Sequence, residues 1–242
     1  MTLLELKGLS IASADRLVLR DVDVSVEAGK VTALCGPSGA GKSVTARACM
    51  GVIDMLPGLK AGSLRFPQLA DRDWYAGVAD GGPQANARLL RETEAFRGGY
   101  VSYSPQAASS ALNPGRTIGR QMQIAIARRE HAPADLPATI KELLQEVGLA
   151  PHSAGALPGE LSGGMCQRAA LAIAMAPAPK VLIADEPETG LDPVLRRTIV
   201  ELLIVVGKAH GCGILLISHH EDTVDRIAET VVRLKAPSEV SA

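Results

Sequence analysis

The sequence predicts an α/β fold in which a helical lobe is inserted into an α/β core. Three observations carry this. The apolar run Val31–Cys35 feeds the glycine-rich stretch Gly36-Pro37-Ser38-Gly39-Ala40-Gly41-Lys42-Ser43, and no helix breaker follows before residue 50. Short apolar runs recur at 100–104, 181–184 and 214–218, each bounded by turn or polar residues, as buried parallel strands are. Between about 107 and 179 the signal is nearly all helical, while both flanks mix strand and helix.

In chain order, Val22, Val24 and Val26 alternate with Asp21, Asp23 and Ser25, the period of a strand with one wet face. A turn at 27–30 leads into the run 31–35, and 42–50 reads as a helix. The segment 71–99 is rich in Gly, Asp and Arg, holds the only tryptophan and shows little period; it reads as a surface insertion. Helices are expected over 117–129, 140–147, 163–176 and 194–209. The last is marked by Asp192 as its cap and Pro193 in its first turn. A final strand is expected at 231–234, and no internal repeat is visible.

Composition excludes several classes. The chain has 242 residues, enough for one sizeable domain or two lobes sharing a core. A net charge of -1 gives no basic field to hold nucleic acid nonspecifically. Cys35, Cys49, Cys166 and Cys212 are scattered without the close pairing of a zinc or dithiol motif, which points to a reducing compartment. No signal peptide is visible at the N-terminus, and no segment approaches the roughly 20 apolar residues that span a bilayer. Any membrane role is expected to run through a partner.

In the stretch 36–43 the glycines let backbone N–H groups converge on phosphate oxygens, and the helix that follows adds its positive end. Lys42 neutralises the outer phosphates and Ser43 can ligate Mg²⁺. A chance glycine-rich turn would lack the complete pattern and the strand before and helix after it. The segment VLIADEP at 181–187 is an apolar strand ending in two carboxylates. It puts Asp185 at the strand tip to hold Mg²⁺ through water, with Glu186 facing the terminal phosphate. A buried carboxylate is costly unless it meets a cation, which favours a site over packing. Glu186 is the candidate general base, polarising the attacking water in line with the γ-phosphate. His219 follows the strand at 214–218 and emerges where the other loops gather, an address that suits a γ-phosphate contact; His220 fits the same spacing. Gln106, just past the strand at 100–104, can offer its amide to Mg²⁺ or to the attacking water, although a loop glutamine is more often a solvated side chain. LSGGMCQR at 161–168 looks like a second phosphate grip, or an ordinary helix cap.

The glycine loop, LSGGMCQR, VLIADEP, TGLD at 189–192 and Ser218-His219, in this order, resemble the ATP-binding cassette (ABC) family over nearly the whole chain. The resemblance implies one domain: a P-loop NTPase (RecA-like) core with an antiparallel β subdomain at 1–106 and 180–235, an inserted α-helical subdomain at 107–179, and a tail at 236–242. It implies an ATPase with ATP and Mg²⁺ as cofactors, the nucleotide held by Gly36, Pro37, Ser38, Gly39, Ala40, Gly41, Lys42, Ser43 and Val44. It selects His219 over His220. It also implies that Ser162, Gly163 and Gly164 press on the nucleotide of a second cassette, with Asp192 in the loop that couples the two sites. Metal contacts fall to Ser43, Gln106 and Asp185.

Gln106 followed by Leu112-Asn113-Pro114, with Met165 where glutamine is commoner, look like the branch that energises uptake of peptides, nickel and related metal chelates. The expected partners are membrane permease subunits, a second and preferably different cassette, and an external binding protein, at the cytoplasmic face of the membrane. An exporter subunit, or a soluble cassette acting on nucleic acid or ribosomes, are the alternatives. One copy of each motif, no heptad run and no basic face weigh against nucleic acid. The sequence departs from the family where no aromatic residue stands at 10–16 to stack on adenine, where Glu188 replaces a small polar residue, and where Ala107 and Ala108 replace a more polar pair. It also ends soon after its final strand, so no regulatory tail is expected.

Overall fold

Residues 1–14, 16–79, 81–106, 111–189 and 192–235 are described by the computed structural model, by backbone only at 193 and 221–223. Ala107 and Ala108, positions 190–191 of TGLD, and the expected tail at 236–242 lie outside the described residues. Internal contacts divide the chain into two units, Met1–Arg97 with Leu215–Ala242, and Gly98–Ile214. The expected helical lobe lies within the second.

The first unit carries an antiparallel sheet of β1 (Thr2–Ser13), β2 (Leu17–Glu27) and β4 (Pro57–Arg65), with β1 in the middle. Leu6 stands opposite Val24 on one side and Leu64 on the other, and all three are buried. The strand β1 is hard to see in the sequence because its alternation changes phase: Leu4 and Leu6 are buried, then Leu9 and Ile11. The change falls at Gly8, whose φ of 60° and the register shift between Leu6 and Leu9 mark a bulge that only a residue without Cβ enters cheaply.

In the same unit β3 (Val31–Cys35), buried along its length, pairs in parallel with β8 (Thr230–Arg233), Thr32 opposite Thr230 and Cys35 opposite Arg233. Val31 N–H donates to the Glu229 carboxylate at 2.7 Å, which fixes where the pairing begins. The helix α7 (Glu221–Ile227) sets Val224 on Ala33 and Cys35.

The segment 71–99 is more than a surface insertion. It contains the helix α2 (Gly82–Glu92), and the rings of Phe66, Trp74 and Phe96 meet at centroid distances of 4.5 to 6.4 Å. These are both of the chain's phenylalanines and its one tryptophan. The Arg72 guanidinium lies 3.6 Å over the Trp74 ring, and the Tyr75 hydroxyl donates to the carbonyl of Ala48, the last residue of α1 (Lys42–Ala48), the helix after the glycine loop. Charged and glycine residues hide the pattern because the anchors come singly, at irregular spacing.

The second unit pairs β5 (Val101–Ser104) in parallel with β6 (Val181–Asp185), Val101 opposite Val181 and Ser104 opposite Ala184. Among the described residues four α-helices of nine or more residues accompany them. In α3 (Ile118–Ile126) Ile118, Met122 and Ile126 recur every four residues on the buried face. In α4 (Leu136–Glu146) Ile140, Leu143 and Leu144 do the same, behind an Asp135 cap whose carboxylate accepts from Ala138 N–H at 2.9 Å. The helix α5 (Gly163–Met175) is buried over most of its surface, which its run of alanines allows. As expected, Asp192 caps α6 (Pro193–Ala209), accepting from the N–H groups of Val194 and Leu195. The division between units falls within β7 (Gly213–Ile217). Its first residue donates to the Lys180 carbonyl ahead of β6, and Ser218, just past its end, donates to the Leu34 carbonyl of β3. The chain is thus α/β, with an antiparallel sheet in one unit and parallel strands in both.

Phe66 is fully buried within the ring cluster. Phe66→Ala is expected to lower the unfolding free energy by about 3–5 kcal/mol, read from a urea titration.

Candidate active site

The expected site residues fall in both units. The first holds Gly36–Val44 and His219; the second holds Gln106, Ser162, Gly163, Gly164, Asp185, Glu186 and Asp192.

The loop from Gly36 to Ser43 leaves β3 and enters α1. Gly36, Gly39 and Gly41 have φ of 151°, 79° and 93°, and no side chain caps the start of the helix. Both ends of the loop are closed tightly by their surroundings. A Cβ on Gly36 would come within 2.9 Å of the Leu234 carbonyl and 3.3 Å of Ala40 Cβ, and one on Gly41 within 2.5 Å of Leu19 Cδ2. The absent Cβ atoms are what let the backbone curl into a cradle. Lys42, 8% exposed, extends along the cradle, and its ammonium donates to the carbonyls of Gly36 at 2.9 Å and Pro37 at 3.2 Å. A cation at that position, a backbone bare at its three glycines and the hydroxyl of Ser43 at the first helical turn fit a polyphosphate.

His219 is exposed just beyond β7, and its ring packs against that of His220 with centroids 4.0 Å apart. Ser218 Oγ accepts the His220 N–H at 3.0 Å, which fixes the turn out of the strand.

In the second unit β6 is buried at every residue, so Asp185 at its end is only 3% exposed. One carboxylate oxygen, Oδ2, accepts from the Tyr103 hydroxyl at 2.9 Å. Glu186 follows with φ of 46°, a left-handed conformation uncommon for a residue with a Cβ. Its Oε2 accepts from Gln106 Nε2 at 3.0 Å and from Thr189 Oγ1 at 3.2 Å. Gln106 therefore meets Glu186 through its NH₂, which leaves its carbonyl oxygen as the group able to meet a cation. Glu188 is buried at 1% exposure.

Ser43, Gln106 and Asp185 offer a hydroxyl, an amide oxygen and a carboxylate, the hard donors Mg²⁺ takes. No group of three or more His, Cys, Asp or Glu among the described residues forms a metal cage. Oxygen donors of this kind, each taken by itself, suit an ion that keeps waters and takes other ligands from a bound phosphate.

Within its own chain LSGGMCQR is a helix start. Ser162 caps α5, its Oγ accepting from Met165 N–H at 3.3 Å. Gly163 is exposed, with nothing within 4 Å of a would-be Cβ. Gln167 is buried and donates to the Pro187 carbonyl at 2.7 Å, which ties this helix to the turn after Glu186. Tyr103, Thr189 and Gln167 are the residues the sequence reading misses. Gln167 and Thr189 sit inside quoted motifs, whereas nothing in the sequence singles out Tyr103.

The sequence model of the ABC transporter family matches residues 19–189. The nickel import ATP-binding protein of Pseudomonas putida is 32% identical over 237 residues, covering 97% of this chain and 85% of that protein. The dipeptide transport ATP-binding protein of Haemophilus influenzae is 35% identical over 248 residues, covering 98% and 69%. Among solved structures, the ATP-binding subunit of an ABC transporter matches with a TM-score of 0.69 at 27% identity, over 96% of this chain and 85% of that one. A dimeric cassette bound to ADP and phosphate after hydrolysis matches in fold, with a TM-score of 0.72 at 20% identity over 96% and 94%.

The two glycine sites separate by their surroundings. Gly41→Ala is expected to cost about 1–3 kcal/mol of stability from backbone strain alone. Gly163→Ala is expected to stay within about 0.5 kcal/mol of the parent, as open surface positions do. Chemical denaturation of the two variants checks both.

Proposed function

The chain belongs to the ABC transporter ATPase family, and on that premise we propose that it is the ATP-binding and ATP-hydrolysing subunit of an importer for peptides, nickel or related metal chelates. The observation that carries the import reading is its identity of 32% to 35% with ATP-binding proteins of nickel and dipeptide systems, over nearly the whole chain.

In this reading the loop from Gly36 to Val44 wraps the phosphates of ATP, and Lys42 turns its ammonium from the loop carbonyls to the outer phosphates. Ser43 and Asp185 would hold Mg²⁺, with the carbonyl oxygen of Gln106 as a further contact, and the ion would supply charge neutralisation at the phosphate oxygens. Glu186 orients and polarises the attacking water. The bonds from Gln106 and Thr189, together with its left-handed backbone, limit the directions in which that carboxylate can point. His219, exposed at the end of its strand, contacts the γ-phosphate. Positioning and charge stabilisation then do most of the catalytic work.

Ser162, Gly163 and Gly164 serve a second cassette, whose nucleotide they cover, and Asp192 lies in the loop that links the two sites. The exposure of Ser162 and Gly163 supports this, since among the described residues nothing lies within 4 Å of the open face of Gly163. The pairing is proposed to be with a different cassette. No helix among the described residues is long and apolar enough to cross a membrane; the proposal pairs the chain with separate permease subunits and puts it peripherally at the cytoplasmic face, which its likeness to import ATP-binding proteins supports. The helical part at 107–179 faces that permease. Within the second unit a cavity of about 410 Å³ is lined by Leu112, Asn113, Arg116, Ile124, Ala174 and Pro177, a mostly apolar wall suited to a docking segment. An external binding protein completes the system.

The complex purified with its permease is expected to hydrolyse ATP faster when a peptide or nickel chelate and its binding protein are added; indifference to every such ligand removes the import reading. Glu186→Gln should bind ATP with parental affinity while turnover falls at least about 100-fold. For the signature stretch, Ser162→Arg should leave ATP binding to the isolated chain intact and abolish ATP-driven pairing, read by size-exclusion chromatography. Loss of ATP binding as severe as that of Lys42→Ala would place Ser162 on its own nucleotide instead.

A further inference from the structure

The mechanism above leaves one polar contact of the carboxylate strand without a task. Tyr103 stands opposite Ile183 in the parallel pair of β5 and β6. Side chains two residues apart share a face, so Asp185 is the diagonal neighbour of Tyr103 across the pair, at about the 7–8 Å that an aromatic side chain spans. The Tyr103 hydroxyl covers that gap and donates to Asp185 Oδ2 at 2.9 Å.

We propose that Tyr103 is a positioning residue of the metal site, its hydroxyl holding one oxygen of Asp185 so that the other faces the ion. The inference rests on the reading of Asp185 as the Mg²⁺ carboxylate. Its physical basis is burial. Asp185 is 3% exposed, so water does little to fix or solvate its carboxylate, and a neutral donor that pins one oxygen sets the direction of the second. A phenol suits the task because it is long enough to cross the strands and donates without adding a charge that would compete with the cation.

The Tyr103 ring also lines the cavity described above, so Tyr103→Phe keeps that wall and removes only the hydroxyl. The test uses Mn²⁺ as the probe ion, bound to the purified chain together with a non-hydrolysable ATP analogue and titrated by electron paramagnetic resonance. Tyr103→Phe is expected to weaken Mn²⁺ binding about tenfold, with metal-free binding of the analogue unchanged. Asp185→Asn should weaken it further, and adding Tyr103→Phe to that variant should change nothing more. Parental Mn²⁺ affinity in Tyr103→Phe, beside a loss in Asp185→Asn, overturns the role of Tyr103 alone. A drop in metal-free analogue binding for Tyr103→Phe as large as the drop in Mn²⁺ binding overturns it too, as the mark of a merely structural contact. Parental affinity in Asp185→Asn removes the metal-ligand reading on which the inference stands.

Discussion

A negative charge at the end of a fully buried strand is the constraint around which the second unit is arranged. Asp185 closes β6 at 3% exposure, and a carboxylate in such surroundings is costly unless donors or a cation meet it. The hydroxyl of Tyr103 meets it from the neighbouring strand, while the next residue turns into the left-handed region and carries a second carboxylate away from the first. The amide of Gln106 and the hydroxyl of Thr189 receive that second group. Two adjacent acids are thereby given different neighbours, the condition for two different tasks at one strand end.

The first unit solves the complementary problem with backbone. There the cradle depends on what is missing: side chains at Gly36 and Gly41, whose places are taken by Leu234 and Leu19. Strand β8 delivers Leu234 to that position, and β8 is registered on β3 with Thr230 opposite Thr32, where the Glu229 carboxylate holds Val31 N–H. A loop that reads in the sequence as a local motif is therefore shaped in part by a segment nearly 200 residues further along the chain.

How legible these arrangements are depends on their range. Strands buried on both faces, such as β3, β6 and β7, stand out as unbroken apolar runs, and the cap of α6 is visible because Asp192 and Pro193 act on their own helix. The glycine loop and the acid pair are legible for the same reason: their chemistry is contiguous. Strand β1 is obscured by the bulge at Gly8, which shifts the phase that alternation relies on. The segment 71–99 hides its anchors because Trp74, Tyr75, Leu89 and Phe96 are too widely spaced to form a pattern. Tyr103 is invisible for a sharper reason, since its partner lies 82 residues away and is fixed only by strand register. The fold class and the residues of the candidate site can thus be read from the chain, whereas the groups that orient them cannot.

The gathering of both phenylalanines with the single tryptophan has an optical consequence. All indole emission from this chain originates at Trp74, in the first unit, beneath the Arg72 guanidinium and edge-on to Phe96. Indole fluorescence, excited beyond the tyrosine band, is therefore a local gauge of the packing that anchors 71–99, and silent on its own about the helices and acidic strand of the other unit. An unfolding curve followed by emission and one followed by helical circular dichroism monitor different parts of this molecule, and comparing their midpoints measures whether the two units lose structure as one.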